Sequence, residues 1–385
     1  MRIGIYGGTF NPPHIGHLQS ARAAAKQLGL ELLLIVPAGI PPHKELAEGT
    51  PPAWMRLEMA QAAFLSEPHT IVTDIEIRNS GPGYTIDTVN AIKTEYPGSQ
   101  LFLLVGTDMY LTLDTWKDSV TLLKTITPAV FSRSFEDTER ISLYSEDLQK
   151  RFGVQTEIVT NCVVEISSSS LRELLPKREG AGYITDTTYS YIIKYRLYGA
   201  KPAWDWLRAR ARSMLDPIRI PHVDGCEAEA VRLAERWNVD IDDAREAAIL
   251  HDITKRLNLA ENTIILEEHG IPVGKIERAE EKLLHSKSGA ALAKTLFGVS
   301  EEVAGAIRWH TTGRAGMSVL EKVIYLADYI EPTRDFQEVG HLRKAAYNDI
   351  DEALKMGLEL SIQDMIARGI KPNSITFEAL DDLKG

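Results

Sequence analysis

The sequence predicts a two-part molecule: an α/β, doubly wound parallel sheet in its first half and an all-α helical bundle in its second. Three observations lead there. Five short apolar runs alternate with helical patterns between residues 2 and 131, the rhythm of strand, crossover helix and parallel strand. After about residue 200 strand-like runs become scarce and helix follows helix. Length agrees, because 385 residues exceed what one hydrophobic core usually organises.

The apolar runs are Arg2–Tyr6, Leu32–Val36, Ile71–Ile77, Leu101–Val105 and Ala129–Phe131, with a further strand at Thr156–Val164. They read as buried parallel strands, which are covered on both faces. Helical patterns at Gly16–Leu28, Pro52–Leu65, Thr85–Glu95 and Trp116–Lys124 fill the intervals. Another starts near Ser169, and the aromatic-rich segment Tyr183–Tyr198 is expected to pack as the last helix of this part. Lys201-Pro202 then punctuates the chain. Beyond it the sequence predicts helices at Ala228–Trp237, Asp242–Asp252, Ala260–His269, Glu277–Phe297, Glu301–Trp309, Val319–Tyr329 and Ile350–Arg368, joined by segments carrying Gly, Pro or Asn. Domains at 1–200 and 201–385 are the expectation.

Composition supports two ordinary cores, with 44% hydrophobic and 25% charged residues. A net charge of −11 argues against a broad nucleic-acid footprint. An anionic ligand must then be held by local devices: helix N-termini, a few Lys or Arg, or metals. Cys162 and Cys226 form no CxxC, so neither a disulfide framework nor a zinc knuckle is expected. No apolar run reaches membrane-spanning length, and the first is too short for a signal sequence. A cytoplasmic protein without membrane contact is expected, and a homo-oligomer is left open.

The stretch GGTFNPPHIGHL at 7–18 follows the first strand and opens the first helix, at the carboxyl edge where open α/β sheets bind ligands. Gly7 and Gly8 allow close approach of a bulky anion. Free N–H groups at the helix start offer a phosphate site. His14 and His17, three residues apart, can both reach phosphate oxygens. The spacing is neither a Walker A loop nor a GxGxxG fingerprint.

This loop resembles the (T/H)xGH signature of the nucleotidyltransferase superfamily. Further motifs narrow the resemblance to bacterial nicotinate-nucleotide adenylyltransferases: PPHK at 41–44, GPGYTIDT at 81–88, LVGTDMYLTLDTWK at 104–117 and ISSSSLRELL at 166–175. The resemblance covers residues 1–198 and implies a Rossmann-like fold. It also implies attack of a mononucleotide 5′-phosphate on the α-phosphorus of ATP, with Mg²⁺ arriving on ATP. His14 and His17 would hold the triphosphate and Lys44 would add charge. Arg172 would clamp the β/γ-phosphates, with Ser168 and Ser169 donating beside it. Gly8, Thr9 and Phe10 would line the ATP cradle, and Asp108 would be the adenosine-side acid. Nicotinate mononucleotide would sit near Tyr84, Thr85 and Trp116, with Trp116 stacking on the pyridine ring. Capping alone could also explain Thr85 and Asp87, a helix N-cap and a first-turn acid. The family's Arg-Pro-Gly appears here as FSRSFED, so only Arg133 can be matched.

AAILHDITK at 247–255 sets His251 beside Asp252 at the end of an apolar helix. Upstream lies His222 in RIPHVDG, and downstream His285 in LLHSKSGA, His310 in AIRWHTTG and Asp328 in IYLADYIEP. Polar groups on apolar helix faces need partners, and six N/O donors converging in a bundle point to metal. The set contains no Cys, so Fe, Mn, Mg and Zn all remain open. A carboxylate beside a His can bridge two metals, the logic of a two-metal phosphohydrolase. These runs resemble the HD-domain superfamily, and most closely a bacterial branch of symmetrical bis(5′-nucleosyl)-tetraphosphatases, over about 205–375. The resemblance implies hydrolysis of diadenosine tetraphosphate to two ADP. His222, His251, Asp252 and Asp328 would hold one metal, and Asp252 would bridge to a second on His285 and His310. Iron is the family's typical metal and manganese the alternative. Lys255, Thr311, Gly313 and Arg334 are candidate phosphate contacts. A regulatory or dimerisation module that senses a nucleotide without hydrolysing it, and a mononucleotide phosphatase, are the competing readings of this half.

Overall fold

Alternating apolar side chains build the sheet of the first half. In the computed structural model, which describes all residues except 42–44, 79–80, 133–134, 161–163, 165, 275–282 and 385, the chain divides into two units, Met1–Lys201 and Pro202–Gly385. The strands of the first unit are β1 (Arg2–Gly8), β2 (Leu32–Pro37), β3 (Thr70–Val72), β4 (Gln100–Gly106), β5 (Ile126–Ser132) and β6 (Glu157–Thr160). They are all parallel, in the order β3-β2-β1-β4-β5-β6, a Rossmann-like sheet.

Its helices are α1 (Ile15–Gln27), α2 (Ala53–Phe64), α3 (Thr85–Glu95), α4 (Thr107–Tyr110), α5 (Ser119–Thr125), α6 (Phe135–Phe152), α7 (Ser168–Leu174) and α8 (Asp186–Lys194). Successive strand residues point to opposite faces. Leu101, Leu103 and Val105 of β4 therefore pack with Ile86, Val89 and Ile92 of α3 and with Leu122 of α5. Phe102 and Leu104 pack on the other side with Leu18, Ala21 and Ala24 of α1 and with Ala60 and Phe64 of α2.

One expected element ends early and one helix was not expected. The strand expected over Ile71–Ile77 stops at Val72, because Asp74 O accepts the N–H groups of Ile77 and Arg78 at 2.8 and 3.0 Å and turns the chain. Helix α6 has no counterpart among the expected helices: it follows the polar FSRSFED and buries Ile141 and Leu148, two turns apart on one stripe.

The second unit is helical: α9 (Trp204–Met214), α10 (Ile220–Trp237), α11 (Ile241–Leu250), α12 (Leu259–Glu268), α13 (Leu284–Phe297), α14 (Glu301–Trp309), α15 (Val319–Ile330), α16 (Val339–Asn348), α17 (Ile350–Ala367) and α18 (Ser374–Asp382). Sequence periodicity missed α9, the first two turns of α10, α16 and α18. Part of the helix expected over Glu277–Phe297 lies outside the described residues. Helix α15 runs through the core, burying Val323, Ile324, Leu326 and Ala327 against α10, α11, α14 and α17. No helix among the described residues is long and apolar enough to cross a membrane.

The entry of α15 is fixed by a capping box. Ser318 Oγ accepts the Glu321 N–H at 3.2 Å, and Glu321 Oε2 accepts the Ser318 N–H at 2.7 Å. Each satisfies an N–H that the helix start leaves free. The buried Glu321 is held in turn by Arg314 at 3.0 Å. Ser318→Ala is expected to cost the second unit about 1 kcal/mol, read as a lower unfolding midpoint in denaturant with an unchanged m-value.

Candidate functional site

Strands β1 and β4 are neighbours from which the chain winds away in opposite directions, and that reversal opens a crevice at their carboxyl ends. Two cavities of about 650 and 400 Å³ lie there. They share Tyr6, Gly8, Thr9, Gly106 and Met109, so they meet at the strand tips. His14, His17, Asp108, Ser168, Ser169 and Arg172 line the larger, and Tyr84, Thr85 and Trp116 the smaller.

The histidines sit at the start of α1. The His14 N–H donates to His17 Nδ1 at 3.2 Å. That nitrogen therefore carries a lone pair, and the neutral ring bears its proton on Nε2. The two imidazoles lie 3.8 Å apart, centroid to centroid. Gly16 makes room for them: a Cβ there would fall 2.9 Å from His14 Nδ1. Phe10, expected in the cradle, is instead buried beneath it, its ring 5.1 Å from that of His17 and 6.1 Å from that of Phe64. Its aromatic bulk is satisfied by the core, and it supports the loop from below.

Arg172 turns inward, donating to Asn11 O at 2.8 Å and to Ser169 Oγ at 3.1 Å. Ser168 Oγ donates to Pro12 O at 2.9 Å. Asp108 is exposed in the short α4. Lys44 and Arg133 lie outside the described residues.

Sequence reasoning missed the groups that hold this loop. Asn11, nearly buried, accepts the Tyr198 hydroxyl at 2.8 Å and donates to Thr50 Oγ1 at 2.8 Å. Arg56 is 1% exposed and donates to Thr9 O and Gly39 O, both at 2.9 Å. Burial pulls its pKa down. The signal for Arg56 was available: it falls on the same stripe as Met59, Ala60 and Ala63.

On the smaller cavity Tyr84, not Thr85, is the N-cap residue of α3, and it makes no side-chain cap. The Trp116 ring is half-buried with Nε1 donating to Thr112 Oγ1 at 3.3 Å. Lys117 Nζ stands 4.0 Å from the Tyr84 ring centroid. Glu76, also unforeseen, is buried on this cavity and accepts the Thr88 hydroxyl at 2.9 Å, and burial raises its pKa.

The second constellation lies inside the helical unit. Helices α10, α11, α13, α14 and α15 deliver His222, His251 with Asp252, His285, His310 and Asp328 to one buried nest. Asp252 stands in its middle. Oδ2 faces His251 Nε2 at 3.5 Å and His222 Nε2 at 3.8 Å, and Oδ1 faces His285 Nε2 at 3.3 Å and His310 Nε2 at 3.7 Å. His222 Nε2 also lies 3.2 Å from Asp328 Oδ1.

Backbone carbonyls and carboxylates set the rings. His251 Nδ1 donates to Ala248 O and His310 Nδ1 to Ile307 O, each at 2.7 Å. His222 Nδ1 donates to Glu331 Oε1 at 3.0 Å. Each Nε2 is thereby left as a lone pair. The Nε2 atoms of His222 and His251 are 3.4 Å apart, and those of His285 and His310 are 3.1 Å apart. Buried lone pairs and carboxylate oxygens facing one another repel unless a cation lies among them, so the donor set fits metal ions. Burial holds His251 and His285 at pKa about 4. Burial raises the Asp252 and Asp328 carboxyls, yet the charged groups around them, Lys255 beside Asp252 and Arg334 beside Asp328 among them, overcome it and hold both well below the usual range.

Cations surround the nest. Lys255 Nζ donates to His285 Nε2 at 3.1 Å, Arg334 Nη2 to Asp328 Oδ1 at 2.6 Å, and Arg219 Nη2 to Asp252 Oδ2. Thr311 Oγ1 donates to Ser286 Oγ at 3.2 Å. Gly313 leaves the phosphate set: its N–H is used by Trp309 O at 2.9 Å, and its Cα packs toward Leu358, Ala379 and Met317. It turns the chain at φ 63°. Arg219, Glu331 and Cys226 were missed. Cys226 stands four residues after His222 on α10, with Sγ 3.6 Å from the ring, where the absence of a CxxC had pointed away from cysteine.

Residues 5–174 match the cytidylyltransferase-like family and residues 219–333 the HD domain. A probable nicotinate-nucleotide adenylyltransferase of Shouchella clausii is 36% identical over 199 residues, 51% of this chain and 97% of that protein. One of Carboxydothermus hydrogenoformans is 34% identical over 198 residues, 51% of this chain and 98% of its own length. Among solved structures, a predicted HD superfamily hydrolase involved in NAD metabolism from Clostridium acetobutylicum shares 39% identity, over 47% of this chain and 96% of that one, with a TM-score of 0.46. Through its N-terminal half the chain belongs to the nicotinate-nucleotide adenylyltransferase family, and it carries an HD domain in its second half.

Proposed function

We propose that the chain is a bifunctional enzyme. The first unit transfers the adenylyl group of ATP to nicotinate mononucleotide, giving nicotinate adenine dinucleotide and pyrophosphate. The second hydrolyses diadenosine tetraphosphate to two ADP. The observation that carries the first half is the pair of cavities meeting at Gly8, Thr9 and Gly106, which suits two nucleotides meeting head to head.

In the larger cavity, ATP brings its Mg²⁺ with it. His17 offers Nε2–H to the triphosphate, His14 stands beside it, and Arg172, Ser168 and Ser169 add donors. Lys44 is assigned to the same charge, and Asp108 to the adenosine side. The mononucleotide lies over Tyr84 and Thr85 with its pyridine ring on Trp116. A 5′-phosphate oxygen attacks the α-phosphorus, the bond from that phosphorus to the bridging oxygen breaks, and pyrophosphate leaves. The nucleophile is already an anion, so positioning and charge stabilisation do the catalysis.

In the helical unit His222, His251, Asp252 and Asp328 would hold one metal, and Asp252, His285 and His310 would hold a second, with iron first and manganese as the alternative. Such a pair supplies Lewis acidity toward phosphate oxygens and acidifies water. Lys255, Arg334 and Thr311 contact phosphate. Water adds to one of the two central phosphorus atoms and the bridge between them breaks, leaving two ADP. The fusion has a rationale: adenylyl transfer to ATP in place of the mononucleotide gives diadenosine tetraphosphate, which the second unit removes.

Separate incubations with each substrate, resolved chromatographically, test this. His17→Ala is expected to lower kcat for adenylyl transfer about 100-fold and to leave ADP formation unchanged. His251→Ala/Asp252→Ala is expected to do the reverse. AMP and ATP as products would contradict symmetrical cleavage, and intact turnover in the double variant would remove the nest from catalysis.

Metal retention should also follow the buried imidazoles. A free histidine protonates near pH 6.5, but His251 and His285 stay neutral down to about 4. Metal content after gel filtration is expected to hold through pH 6.5 and fall as pH approaches 4. Loss centred near 6.5 would contradict the burial account.

A further inference from the structure

Arg219 contacts the central carboxylate of the nest, yet the hydrolytic reading gives it no task. It lies just before α10, three residues ahead of His222, with its side chain about one quarter exposed. Nη2 donates to Asp252 Oδ2, while Nε is buried with no partner. The neighbouring Ile218 is 82% exposed, so this turn borders solvent on one side and the nest on the other.

Charge defines what such a residue can serve. Among the described residues the nest holds three carboxylates, Asp252, Asp328 and Glu331. Three cations contact them or the rings: Arg219, Arg334 and Lys255. Carboxylates and cations balance three to three. Two divalent ions would leave roughly four positive charges uncompensated in a buried site, where net charge is costly. A chain of phosphates, each bearing about one negative charge, restores the balance, whereas a monophosphate does not. A metal on Asp252 also repels the guanidinium from that oxygen, and an arginine fork is well matched to phosphate oxygens.

We propose that Arg219 is an oligophosphate-binding residue of the helical unit, exchanging Asp252 Oδ2 for a phosphate oxygen when metal occupies that carboxylate. The proposal rests on the two-metal reading above and adds the ligand's charge class and the residue that reads it.

The test is calorimetric titration of inorganic tripolyphosphate into the full-length, manganese-loaded protein. His251→Ala/Asp252→Ala supplies the baseline for binding elsewhere in the chain. Metal content is measured on each sample after titration. Arg219→Gln is expected to weaken the nest-dependent binding at least tenfold with metal content unchanged, and Arg219→Lys to recover part of it. Unchanged affinity in Arg219→Gln would overturn the proposal. So would a loss of metal with unaltered affinity at the sites that remain loaded, which would make Arg219 a support for Asp252. Wild-type protein that takes up no metal would overturn the two-metal reading itself. Metal uptake without tripolyphosphate binding would leave that reading standing and remove this one.

Discussion

Both constellations depend on one constraint: a neutral imidazole has one donor and one acceptor, and the backbone decides which is which. At the start of α1 the His14 N–H occupies His17 Nδ1, so His17 turns a proton outward. In the helical unit the carbonyls of Ala248 and Ile307 occupy Nδ1 of His251 and His310, so these rings turn lone pairs inward. One residue type thus serves opposite chemistry. A proton-bearing Nε2 suits phosphate oxygens, and a bare one suits a metal. The choice is set by position relative to a helix: His17 lies in a first turn, near free N–H groups, while His251 and His310 follow a last turn, near free carbonyls.

The surroundings extend this division. The first site is an open crevice in which Arg172 and Ser168 brace the GGTFN loop through the carbonyls of Asn11 and Pro12, and Ser169 accepts from Arg172. Arg56 pulls on the same loop from beneath through Thr9 O. Asp108 stands exposed on the larger cavity, and Glu76 is buried on the smaller. The helical nest is largely buried, and acceptors crowd it. There Arg219 meets Asp252 and Arg334 meets Asp328, and both carboxyls are held well below the usual range despite burial. An ionised carboxylate in the interior survives only with such company; Arg219 donates to Asp252 Oδ2, while Oδ1 is buried without a hydrogen-bond partner.

Much of this was legible in the sequence, for physical reasons. The sheet followed from short apolar runs, because a strand covered on both faces must be apolar on both. HxGH was readable because a strand, a glycine turn and a helix start are local. The His/Asp set was readable because polar residues on apolar helix faces demand partners. The misses share a different cause. Arg219, Glu331 and Cys226 gain their meaning only when helices cross, and nothing local marks an arginine three residues before His222. The inward turn of Phe10 and the packing of Gly313 toward Leu358, Ala379 and Met317 depend likewise on what lies beneath them. Helix α6 was hidden by a polar start whose apolar stripe emerges only at Ile141 and Leu148. The early end of β3 reflects Asp74, whose carbonyl captures the next N–H groups where an apolar run had promised more strand.

The most direct measurement is the tautomer of each ring. Protein labelled with ¹⁵N-histidine, kept free of paramagnetic ions, is read by long-range ¹H–¹⁵N correlation, with single His→Gln variants for assignment. The account predicts the Nε2–H form for His17 and the Nδ1–H form for His251 and His310. Finding His251 or His310 protonated at Nε2 would contradict it, since no lone pair would then face the nest.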